Sequence, residues 1–251
     1  MSPARRPARR ALRARRGAGA RAAARVERAS PALALRSWLF VPGDSERKQE
    51  KALASAADAV ILDLEDSVAA PQLAAARRRV GELLRSVRAR GRPQLWVRAN
   101  APSSDLLRED LEAVFADGPP DGIVLPKVSG PGELPPVARR LATLEARLGM
   151  EPGATRLLII ATETPAGVLS LAQYPTVLGP MTGVRQRIAG LTWGGEDLST
   201  ALGALAQREA GGALTFTFQL ARTQDRKSTR LNSSHTIISY AVFCLDRKSV
   251  V

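Results

Sequence analysis

Charged side chains recur in this sequence directly after short apolar runs. Residues 59–68 read AVILDLEDSV, a run of strand length that closes on Asp63, Glu65 and Asp66. LWVRAN (95–100) carries Arg98, GIVLPKV (122–128) carries Lys127, LLIIATET (157–164) carries Glu163 and IAGLTWGGED (188–197) ends on Asp197. Carboxylate oxygens suit a hard divalent cation, and a planar guanidinium suits two-point recognition of another carboxylate. Taken singly, each residue also has a plain structural reading. Glu163 and Asp197 can cap the helices that follow them, Arg98 can pair with Asp63 or Glu65, and Lys127 can pair with any nearby acid. α/β enzymes keep their chemistry at the carboxyl ends of parallel strands, so five such strand ends make a binding face.

The elements that must position these residues alternate along the chain. LALRSWLFVPG supplies a first strand, making six strands by Asp197. Helical stretches follow Asp44 (SERKQEKALASAA), Pro71 (QLAAARRRVGELLRSVRARG), Ser104 (DLLREDLEAVFADG) and Gly132 (ELPPVARRLATLEARLG). Pro71 suits the first turn of its helix, and Gly91 and Gly149 suit C-terminal stops. This βα alternation predicts a parallel sheet, either in a (β/α)₈ barrel or in an open doubly wound sheet. The second loses ground because PGDSERK, after the first strand, has one glycine where a dinucleotide-binding loop needs three. Ser45 and Lys48 form an isolated S-x-x-K without the partner motifs of that enzyme class. Trp38, Trp96 and Trp193 fall within strand-like runs and are expected to pack.

The formal charge of +13 would ordinarily point to nucleic acid, but its distribution does not. Residues 1–35 hold ten arginines and one acid, residues 225–251 five basic and two acidic groups, and the body between is close to neutral. With aromatics at 4% there is also little to stack on bases. The leader is too poor in large apolar residues to form a core and is expected to be disordered. It reads as upstream GC-rich DNA translated from an early start codon, as an organelle transit peptide, or as a nucleic-acid-binding arm. No run reaches membrane-spanning length, so no membrane partner is expected. A cytoplasmic location is expected, or an organelle matrix if the leader is a transit peptide.

The tail is expected to be artefactual and disordered. DRKSTRLNSSH (225–235), ISYAVFCL (238–245) and DRKSVV (246–251) resemble in-frame translations of sequencing adapters, and DRKS restarts at Asp246. His235, Cys244 and the sequon at Asn232 all lie there, so none is used as a functional signal.

RSWLFVPG, VILDLEDSV, WVRAN, IVLPKV, TETPAGV and GGEDLSTALG, in this order, resemble the citrate lyase β-subunit group of the HpcH/HpaI aldolase superfamily. The resemblance covers Arg36 to about Arg222 and implies a (β/α)₈ TIM barrel. It also implies a carbon–carbon lyase acting on 3-hydroxyacyl-CoA thioesters of the citryl-, malyl- or citramalyl-CoA type, releasing an acyl-CoA and a 2-oxo acid. The implied cofactor is Mg²⁺ or Mn²⁺, with CoA as part of the substrate. Glu163 and Asp197 match the family's metal ligands, and Arg98 matches the arginine that holds the 2-oxo acid. Glu65 is placed beside the metal, with Asp63 and Asp66 orienting their neighbours. Asp66 stands where the free-acid aldolase branch carries histidine, which favours the CoA-dependent branch. Arg36 and Lys127 are further substrate-binding candidates, Lys127 toward an acid or a CoA phosphate.

The family pattern continues into seventh and eighth strands, whereas this chain passes from ALTFTFQLARTQ into the adapter-like tail. The expectation is a barrel domain over 36–224 with about six of eight strands, inactive as a fragment, from a parent that forms trimers or hexamers. A free 2-oxo acid aldolase and a basic nucleic-acid-binding protein are the alternative functions.

Overall fold

The computed structural model describes residues 35, 37–87, 93–230 and 241–244. The basic leader and Arg36 lie outside these residues, as does Gly91. All six expected strands form: β1 (Ser37–Pro42), β2 (Ala59–Asp63), β3 (Gln94–Arg98), β4 (Gly122–Leu125), β5 (Arg156–Ile160) and β6 (Ile188–Thr192). They pair in parallel and in sequence order, so every carboxyl end emerges at the same edge.

The four expected helices form α1 (Glu46–Leu53), α2 (Leu73–Ser86), α3 (Leu106–Asp117) and α4 (Leu134–Arg147). Pro71 sits in a 3₁₀ turn (Ala70–Gln72) that runs directly into α2. Gly149, just past α4, adopts the left-handed φ of 64° typical of a helix stop. Between β5 and β6 the chain breaks into three short helices, α5 (Pro165–Ser170), α6 (Tyr174–Leu178) and α7 (Thr182–Arg185). Pro165 and Pro175, near the starts of α5 and α6, punctuate this segment.

Side-chain alternation separates the two faces of the sheet. Leu39, Val41, Val60, Leu62, Leu95, Val97, Ile123, Leu125, Leu157 and Ile159 point to one face and join the main core with residues of α1 to α4. Trp38, Ala59, Ile61, Trp96, Val124, Leu158 and Ile160 point to the other and form a cluster of strand residues. The six strands form a curled, half-barrel sheet. Trp38 and Trp96 meet edge to face at 4.9 Å, and a Cβ on Gly122 would lie 2.3 Å from the Trp96 ring. Sequential parallel order with α1 to α4 packed against one face is barrel-type winding, not the doubly wound sheet. Trp193 is only half-buried and packs against Leu198, Phe218 and Ala221.

Two segments of the tail lie among the described residues. After α8 (Gly195–Leu202), helix α9 (Phe216–Arg230) runs past residue 225, and β7 (Ala241–Cys244) pairs in parallel with β1. An apolar run of strand length can satisfy the backbone groups of an open edge whatever its origin. Among the described residues, β6 and β7 form the two edges of the sheet. No helix among the described residues is long and apolar enough to cross a membrane.

Candidate active site

At the carboxyl edge, Asp63 ends β2 and Arg98 ends β3 at the same register level. Arg98 Nε donates to Asp63 Oδ1 at 2.7 Å and Nη2 to Oδ2 at 2.6 Å, a two-point fork. Asp63 is buried and also accepts from the backbone N–H groups of Glu65 (3.0 Å) and Ser67 (3.2 Å), so one carboxylate shapes the turn and orients the arginine. Arg98 Nη1 faces Glu65 at 3.1 Å and Asp66 at 3.4 Å, and the guanidinium lies 5.0 Å from the centre of the Phe40 ring. Burial disfavours the charge on Arg98, but Asp63, Glu65 and Asp66 outweigh this and fix it.

Lys127 joins the same network from β4. Its ammonium donates to Glu65 Oε1 and, at 2.8 Å, to Asp66 Oδ1. Burial pushes the Glu65 carboxyl up to about 7 against the pull of Arg98 and Lys127. For Asp66 burial acts in the same sense, but hydrogen bonds from Lys127 and Glu65 bring it below the ordinary carboxylate range. The two neighbours are thus pushed apart, Glu65 upward by burial and Asp66 downward by its hydrogen bonds. Glu65 Oε2 is buried and meets Arg98 Nη1 as an ion pair at 3.1 Å, without hydrogen-bond geometry.

Glu163 and Asp197 form the second half of the site. Glu163 follows β5, and its side chain is buried and accepts from the Lys127 backbone N–H at 2.5 Å. Asp197 lies in the first turn of α8. Burial, and then the Asp197 carboxylate, push the Glu163 carboxyl up to about 8. Two carboxylates this close repel one another unless a proton or a cation stands between them. Gly194 makes the approach possible, because a Cβ there would lie 2.3 Å from Glu163 Cγ. Thr162 holds the same turn by accepting from the Gly194 N–H at 2.9 Å. The donor set suits Mg²⁺, which takes one or two protein carboxylates and leaves its other positions to water and substrate. Among the described residues there is no group of three or more His, Cys, Asp or Glu placed to hold a metal.

Arg98, Glu65, Asp66 and Lys127 thus converge, and the Lys127 backbone links them to Glu163 and Asp197. Arg36 lies outside the described residues. Supporting groups with no clear signal in the sequence complete the site. Asn100 donates to Leu64 O at 3.2 Å and to the fully buried Asp110 at 2.8 Å, tying the turn after β2 to α3. Arg77 on α2 braces Asp110 from the other side at 2.8 Å. Asn100 stands inside the WVRAN motif, which was its only visible cue.

The sequence signature described as HpcH/HpaI aldolase/citrate lyase matches residues 36–232. A (3S)-malyl-CoA thioesterase from Cereibacter sphaeroides is 36% identical over 169 residues, covering 67% of this chain and 52% of the relative. The mitochondrial citramalyl-CoA lyase of Homo sapiens is 32% identical over 179 residues, covering 69% and 51%. The chain therefore spans about half the length of the curated relatives it matches. A solved citrate lyase β subunit from M. tuberculosis, complexed with oxaloacetate and magnesium, superposes with a TM-score of 0.56 at 28% identity, covering 83% of this chain and 77% of that one. With its ordered motifs, parallel curled sheet and charged strand ends, this chain belongs to the HpcH/HpaI aldolase/citrate lyase family.

Proposed function

We propose that the protein carries the reaction centre of a metal-dependent lyase that cleaves a 3-hydroxyacyl-CoA thioester to an acyl-CoA and a 2-oxo acid. The observation that carries this reading is the meeting of Arg98, Glu163 and Asp197 at one sheet edge, linked through Lys127. The solved relative with oxaloacetate and magnesium supplies both ligand classes, and the thioesterase and lyase relatives supply the CoA thioester. The complete fold is proposed to be a closed (β/α)₈ barrel, in which the present strands form the larger part of the wall, and the parent is proposed to form trimers or hexamers.

In the reaction, the C2–C3 bond of the hydroxyacyl group breaks and the C3 hydroxyl loses its proton, so that C3 becomes the carbonyl of the 2-oxo acid. The electron pair moves to C2 and the thioester carbonyl, and C2 then takes up a proton. Glu163 and Asp197 would hold the divalent cation, which would supply Lewis-acid polarisation of a substrate oxygen. Arg98 holds the 2-oxo acid carboxylate through Nη1, where the substrate shares the nitrogen with Glu65 and Asp66, since Nε and Nη2 are committed to Asp63. Glu65, with its carboxyl at about 7, can hold or release a proton beside that position near neutral pH.

Hydrolysis of the thioester at the same centre is a second reading, favoured by the malyl-CoA thioesterase relatives. Supplying citryl-, malyl- and citramalyl-CoA with Mg²⁺ and separating the products distinguishes the two. Acyl-CoA with a 2-oxo acid supports the lyase, and free CoA with the intact hydroxy acid supports the thioesterase. No turnover by a protein of its relatives' full length overturns both. Cleavage of the free hydroxy acid without CoA would instead mark a 2-oxo acid aldolase.

A further inference from the structure

Lys127 is the one non-glycine residue among those described with a left-handed backbone, φ 53°. Lysine has no intrinsic preference for that region, unlike glycine or asparagine, so neighbouring structure must impose it. The turn is held on both sides: Pro126 precedes it, and Val128 after it is fully buried in the main core. The ammonium is moored to Glu65 and Asp66. The result of the turn is that the backbone N–H leaves the line of β4 and donates to Glu163 Oε2 at 2.5 Å. Glu163 is thereby fixed from one side by a main-chain donor, while Gly194 leaves its stem room on the other.

We propose that Lys127 is a positioning residue whose left-handed backbone, rather than its charge, sets the Glu163 carboxylate for metal binding. The inference rests on the reading of Glu163 and Asp197 as the metal pair and assigns the device that orients one member of it. The ammonium serves to moor a residue that would otherwise leave the left-handed region. A donor to a ligating carboxylate acts as an outer-shell partner, and loss of such a partner commonly weakens metal binding by about 10–100-fold.

Three variants of the full chain separate backbone from charge. Lys127→Gly and Lys127→Asn remove the ammonium but accept the left-handed turn, whereas Lys127→Val removes it and disfavours the turn. Substrate-free Mn²⁺ titration, followed by electron paramagnetic resonance, reads metal affinity directly. Gly and Asn are expected to stay within about threefold of the unsubstituted chain, with Val weaker by about tenfold or more. If thermal melting shows that Lys127→Val unfolds, Lys127→Ala carries a smaller penalty in the same direction and takes its place. Glu163→Gln is the control for the underlying reading. If it abolishes Mn²⁺ binding while Val, Asn and Gly variants bind alike, the Lys127 inference is overturned and the metal pair stands. If Glu163→Gln leaves binding unchanged, or the unsubstituted chain binds no Mn²⁺, the metal pair and this inference fall together.

Discussion

Asp63 and Arg98 occupy the same register level on adjacent strands and close a two-point fork at 2.7 and 2.6 Å. The pairing commits two of the three guanidinium nitrogens to Asp63, and the third, Nη1, turns toward Glu65 and Asp66. Sheet register therefore fixes the orientation of the Arg98 guanidinium. Arg98→Lys keeps the charge but cannot reproduce the fork. Turnover by the full-length enzyme should fall by about a hundredfold or more, as when one charge-stabilising donor is removed. Steady-state kinetics on a 3-hydroxyacyl-CoA checks this, and activity within a few-fold of the unsubstituted enzyme would contradict it.

Gly194→Ala places a methyl group 2.3 Å from Glu163 Cγ and 2.7 Å from Ile160 Cγ2. Neither neighbour can retreat freely, because Glu163 and Ile160 are both buried. The variant should bind divalent metal about 10–100-fold more weakly. Calorimetric titration with Mg²⁺ reads this, and unchanged affinity would mean that the Glu163 carboxylate has other room to move.

Away from the site, Glu145 and Arg187 form a buried pair at 2.6 and 2.7 Å, with Glu145 also accepting from the N–H groups of Gly153 and Thr155. Burial alone would raise the Glu145 carboxyl, but the Arg187 hydrogen bond and the two backbone donors lower it from 4.5 to about 2. A depressed carboxyl contributes stability that is present above its unfolded value and lost as pH falls toward its folded one. The contribution, roughly 3 kcal/mol, should therefore be intact above about pH 5 and disappear toward pH 2. Chemical denaturation across that range, compared with Glu145→Gln, checks the sign. An equally steep acid loss in the variant would assign it to other groups. Arg187→Met leaves a buried carboxylate unpaired and should cost about 3–5 kcal/mol at neutral pH.

Gly122→Ala drives a methyl group into the Trp96 ring on the inner face of the sheet. It should cost about 1–3 kcal/mol, as overpacking of a filled core does, and alter the near-ultraviolet signal of the Trp38–Trp96 pair. A melt and spectrum matching the unsubstituted protein would contradict the tight packing.

The six strands could be read from the sequence because each is a short apolar run closed by polar residues, and the charged residues stood out at those closures. Their grouping was less accessible. That Lys127 would turn left-handed could not be read from a lysine between Pro126 and Val128, since packing imposes the turn rather than propensity. The Arg77–Asp110–Asn100 brace joins residues up to 33 positions apart, and the Glu145–Arg187 pair spans 42, so neither leaves a local pattern. The broken segment from α5 to α7 is too short-ranged in its periodicity to read as helix. The pairing of β7 with β1 depends on an available edge, which no local sequence feature announces.

The most direct test of the account is calorimetric titration of a 2-oxo acid, oxaloacetate or pyruvate, into the chain with and without Mg²⁺. Binding should require Mg²⁺ and disappear in both Asp197→Asn and Arg98→Ala, because the acid is held between the metal pair and the arginine. Binding that persists without Mg²⁺, or survives both substitutions, would contradict the assignment of this sheet edge as the reaction centre.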